Sequence, residues 1–103
     1  MVSAAAARLR LNDRMATRHR IVIETTLRQP DGPEMRCRID NISSLGFSGV
    51  AEQRLQVPSN VIVHVPTIGD VAARIVWIRD GQIGGEFFRP VEVDAMVRAL
   101  KAY

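Results

Sequence analysis

Residues 20–40, Arg20-Ile21-Val22-Ile23-Glu24-Thr25-Thr26-Leu27-Arg28-Gln29-Pro30-Asp31-Gly32-Pro33-Glu34-Met35-Arg36-Cys37-Arg38-Ile39-Asp40, alternate with a period of two on both sides of a turn. Ile21, Ile23, Thr25 and Leu27 share one face, with Arg20, Glu24, Thr26 and Arg28 opposite, the pattern of a half-buried strand. Gln29-Pro30-Asp31-Gly32-Pro33 then reverses the chain, because proline presets φ and glycine permits a positive value. Met35, Cys37 and Ile39 alternate with Arg36, Arg38 and Asp40 and complete a hairpin.

The same period continues downstream. Phe47 to Ala51 reads as a third strand, and Val61, Val63 and Val65 mark a fourth. Val71, Ala73, Ile75 and Trp77 form the inward face of a longer fifth, which places Trp77 in the core. Arg79-Asp80-Gly81-Gln82 is a hairpin signal, since Asp-Gly favours the type I′ turn that matches strand twist, and Ile83 to Phe88 returns as a sixth strand. After Pro90 the period changes. Val93, Met96, Val97 and Leu100 recur at helical spacing over about three turns, too short to stand alone, so this face should dock on the sheet. The expected fold is all-β: a small six-stranded antiparallel barrel with a short C-terminal α-helix.

A chain of 103 residues holds one modest core, and 47% hydrophobic with 24% charged residues is an ordinary globular composition. No segment approaches the roughly 20 apolar residues that span a bilayer, and the expected location is the cytoplasm. Cys37 has no second cysteine to pair with and is expected to be a small core residue. Charge is unevenly spread. Residues 1–20 carry Arg8, Arg10, Arg14, Arg18 and Arg20 against Asp13, leaving −1 for the other 83 residues of a +3 chain. Residues 1–17 are thus expected to form a basic, flexible arm suited to an anionic partner, and residues 18–103 the folded domain.

Two motifs stand out against this frame. Arg14-Met15-Ala16-Thr17-Arg18 lies in the basic leader, and Asn41-Ile42-Ser43-Ser44-Leu45-Gly46 closes the second strand. Together they resemble the paired signature of the PilZ domain family, RxxxR followed by [D/N]xSxxG. The resemblance runs from about Arg14 to Phe88. It implies a bacterial β-barrel that binds cyclic di-GMP, with Arg14 and Arg18 holding phosphate and stacking guanine, and Asn41 and Ser43 reading a guanine edge. The chemistry suits those roles. An arginine fork pairs bidentately with phosphate or with guanine O6 and N7, and its flat face stacks on the base. Asn41 offers both a donor and an acceptor, Ser43 a small hydroxyl, and Gly46 a sharp turn or a close backbone approach.

The arginine register has alternatives. Arg20 lies nearest the first strand, and its counterpart four residues earlier is Ala16; Arg10 and Arg14 form a further RxxxR. Leu45 stands where the family often has glycine. Asn-x-Ser before a glycine also suits a plain strand-ending turn. His19 and His64 lack metal-pair spacing, and there is no nucleophile–base pair, carboxylate dyad or phosphate-cradling glycine loop, so neither a metal cofactor nor an enzyme is expected. A nucleic-acid barrel would need aromatic residues on an exposed sheet face, and Phe47, Trp77, Phe87, Phe88 and Tyr103 are mostly assigned to the core. The expected function is a stand-alone cyclic di-GMP receptor, monomeric or weakly dimeric, that signals to a separate effector protein through ordering of its arm. The alternative is an adaptor of the same fold that binds no nucleotide and acts by protein contact.

Overall fold

The computed structural model describes residues 16–101. Its elements are β1 (His19–Arg28), β2 (Met35–Ile42), β3 (Gly46–Ala51), β4 (Ser59–Val65), β5 (Gly69–Arg79), β6 (Gln82–Phe87) and α1 (Asp94–Lys101). All strand pairs are antiparallel, and the order β1-β2-β3-β6-β5-β4 closes into a barrel. The expected six strands and terminal helix are therefore present. Arm residues 1–15, with Arg8, Arg10 and Arg14, lie outside the described residues, as does Tyr103.

The core follows the alternation. Ile23, Leu27, Met35, Cys37, Ile39, Val61, Val63, Val65, Ala73 and Ile75 are buried with Phe47 and Phe87, whose rings meet 5.8 Å apart. Closure between β4 and β1 uses two ladder pairs, Leu27 with Val63 and Arg28 with Ile62, and a 2.6 Å hydrogen bond from Thr25 Oγ1 to the His64 carbonyl. Val93, Met96 and Val97 bury the apolar side of α1 against the barrel. At its first turn, Asp94 accepts a 3.0 Å hydrogen bond from His19 Nε2, which ties the helix to the start of β1. The turn between β5 and β6 has φ of 51° at Asp80 and 81° at Gly81, the two positive values that a type I′ turn requires.

Alternation fails at two bulges. Between Ile39 and Asn41, β2 carries Asp40 as an extra residue relative to β3, and between Ile75 and Trp77, β5 carries Val76 as an extra residue relative to β6. Each bulge turns the next side chain to the opposite face. Ile39 and Ile42 both point into the core, so Asn41 points out; Ile75 is buried, while Trp77 is 41% exposed. The expectation of Trp77 in the core is corrected for this reason. Phe88, the residue after β6, is also exposed rather than buried.

Candidate functional site

The side chains displaced by the bulges meet on one cross-strand row. Arg20 pairs with Asn41, Asn41 with Ser48, Ser48 with Gly84, and Gly84 with Trp77, a line across β1, β2, β3, β6 and β5 on the outer face of the barrel. Beside it opens a cleft of about 240 Å³ whose walls include Arg18, Asn41, Ser43, Gly46, Trp77 and Glu86. Four of the six site residues expected from sequence thus share one cleft. Arg20 is exposed at the end of the row but is absent from the cleft wall, and Arg14 lies outside the described residues.

Asp40, the extra residue of the β2 bulge, is held from two sides. Its carboxylate accepts a 2.9 Å bond from Arg38 Nε and a 3.1 Å bond from Gln82 Nε2. This fixes the bend that turns Asn41 outward. The loop after it is pinned as firmly: Ser43 N–H donates to Gly46 O at 2.9 Å, Phe87 N–H to Leu45 O at 2.9 Å, and Val91 N–H to Ser44 O at 2.8 Å.

The three motif residues do different work here. Ser43 is 6% exposed, and its Oγ accepts the Leu45 N–H at 3.1 Å, so it shapes the turn while its O–H can still donate. Gly46 serves strand approach, because a Cβ there would fall on the Gly85 carbonyl oxygen of β6. Asn41 is half-buried and lines the cleft, and among the described residues no hydrogen bond engages its amide.

Trp77 and Glu86 are the residues that sequence reasoning missed. The Trp77 indole lies over Gly84, where a Cβ would enter the ring, so one face packs on β6 and the other is open. The signal was the Gly84-Gly85 pair inside a strand, which marks close approach of a bulky neighbour. An aromatic face, a guanidinium and an amide around one cleft can stack a planar base, pair with an anionic oxygen and read a base edge. No group of three or more His, Cys, Asp or Glu side chains able to hold a metal occurs among the described residues.

Residues 9–103 match the PilZ domain family. The chain belongs to that family. Its members are cyclic di-GMP-binding receptor domains rather than enzymes as a rule. The fold of this PilZ domain is similar to a crystal structure of the PilZ domain of CeSA from a cellulose-synthesizing bacterium, with a TM-score of 0.62 over 82% of this chain and 98% of that one at 17% identity. No curated protein matches the sequence. No helix among the described residues is long and apolar enough to cross a membrane.

Proposed function

We propose that this PilZ domain is a cyclic di-GMP receptor and that the cleft bounded by β2, β3, β6 and β5 is its nucleotide site. The observation that carries the reading is the meeting of Arg18 with Asn41, Ser43 and Gly46, more than twenty residues away in sequence, beside the open face of Trp77. Arg18 pairs with a phosphate or with guanine O6 and N7, Asn41 takes a base edge, and Trp77 offers a stacking face. Ser43 and Gly46 hold the loop in the shape that presents Asn41. Arg14 supplies the second arginine, and residues 1–17 close over the bound nucleotide. The surface so formed engages a separate effector protein.

Arginine substitutions test the assignment. Arg18→Ala is expected to weaken cyclic di-GMP binding by roughly tenfold or more, as loss of a charge-assisted pair does, with Arg14→Ala similar and Arg8→Ala close to unchanged. A loss confined to Arg20→Ala would move the site two residues along the chain, onto β1, and contradict the reading.

A further inference from the structure

The cleft contains a carboxylate that the receptor signature does not account for. Glu86 lines it, yet no hydrogen bond or ion pair engages its side chain among the described residues. Arg74 is its direct cross-strand neighbour on β5, and even so the two form no ion pair. A carboxylate is an acceptor only, and beside a phosphate it would repel the ligand. A ligand that buries it must bring donors.

Strand geometry says which donors it meets. Gly84 and Glu86 are two residues apart on β6 and so project from the same face, roughly 6–7 Å apart along the strand. The Trp77 indole covers Gly84 on that face. A base stacked on the open side of the indole therefore has the Glu86 side chain beside its edge and not over its plane. Guanine is the base whose Watson–Crick edge presents two adjacent donors, N1–H and the 2-amino group, spaced to meet both oxygens of one carboxylate. Adenine presents an acceptor at N1.

We infer that Glu86 reads the N1–H and 2-amino edge of a guanine stacked on Trp77, making it a specificity-determining residue of this site. The inference rests on the receptor reading above. It divides the work in the cleft: Arg18 takes the acceptor side of the ligand, the phosphate or O6 and N7, and Glu86 takes the donor side.

Isothermal titration of the full chain with cyclic di-GMP and with cyclic di-IMP, which lacks the 2-amino group, tests it. Glu86→Gln is expected to weaken cyclic di-GMP binding roughly 10- to 100-fold, the scale of a lost bidentate base contact, and cyclic di-IMP binding by a smaller factor. Glu92→Gln, the same change in net charge on an exposed residue beyond β6, is expected to leave both affinities unchanged. Three results would overturn the assignment: unchanged or tighter cyclic di-GMP binding by Glu86→Gln, an equal loss for the two nucleotides, or an equal loss in Glu92→Gln. No binding by the unmodified protein would defeat the receptor reading and this inference together, whereas binding that ignores Glu86 defeats the inference alone.

Discussion

Trp77 and Gly84 face one another across β5 and β6, and the indole fills the space that a side chain at position 84 would take. The pair explains how a large aromatic stays on the outer face of a small barrel. The bulge at Val76 turns Trp77 out of the core, and the missing Cβ lets the ring lie flat on the sheet. A half-open aromatic face beside Arg18 and Asn41 results.

Gly84→Ala should lift the indole off the sheet. Binding of cyclic di-GMP is expected to fall by roughly tenfold or more, on the scale of a lost base–aromatic stack. Trp77 is the chain's one tryptophan, so its emission should change on nucleotide addition in the unmodified protein and shift toward that of a solvated indole in Gly84→Ala. Unchanged emission and affinity would mean that the ring does not depend on Gly84.

Trp77→Ala should cost about 1–2 kcal/mol, below the ~3–5 kcal/mol of a fully buried aromatic, because one ring face is already in water. Urea unfolding measures this directly. A loss in the full range would return Trp77 to the core.

Ser43 and Asn41 should separate cleanly. Ser43→Ala leaves the Leu45 N–H without its acceptor and is expected to destabilise by about 1–2 kcal/mol. Asn41→Ala removes no hydrogen bond among the described residues, so stability should stay within about 0.5 kcal/mol while nucleotide affinity drops. The same stability loss in both variants would make the motif a turn and nothing more.

Cys37 should be inert. Burial, with the Glu24 carboxylate adding to it, raises its thiol from the ordinary 9.0 to about 11. Alkylation of the native protein near neutral pH should therefore be far slower than in denaturant. The unfolded thiol ionises first, so the stability it contributes is complete below pH 9 and is lost as pH rises toward about 11. Cys37→Ala should lack that component of the alkaline decline. Equal alkaline destabilisation in both proteins would remove the thiol from the account.

The barrel was legible because its strands keep a period of two over most of their length, and because Asp80-Gly81 and Pro30-Asp31-Gly32 can be little other than turns. The motif Asn41-x-Ser43-x-x-Gly46 lies at the end of β2 where the cleft opens. The orientation of its residues was not legible, since a bulge adds one residue to a strand without changing its composition. Asp40 and Val76 look like ordinary members of an alternating strand until the register with β3 and β6 is known. Alternation alone therefore places Trp77 inward, whereas the turn-forming role of Ser43 is the alternative that Asn-x-Ser before a glycine already offers. Glu86 joins the cleft because β6 pairs with β3, where Gly46, forty residues earlier, is its cross-strand neighbour.

Calorimetric titration of the unmodified chain with cyclic di-GMP tests the central claim most directly. Binding with a dissociation constant in the micromolar range or tighter is expected, with a change in Trp77 emission that tracks the heat. Absence of both signals at nucleotide concentrations well above micromolar would contradict the claim that this cleft is a cyclic di-GMP site.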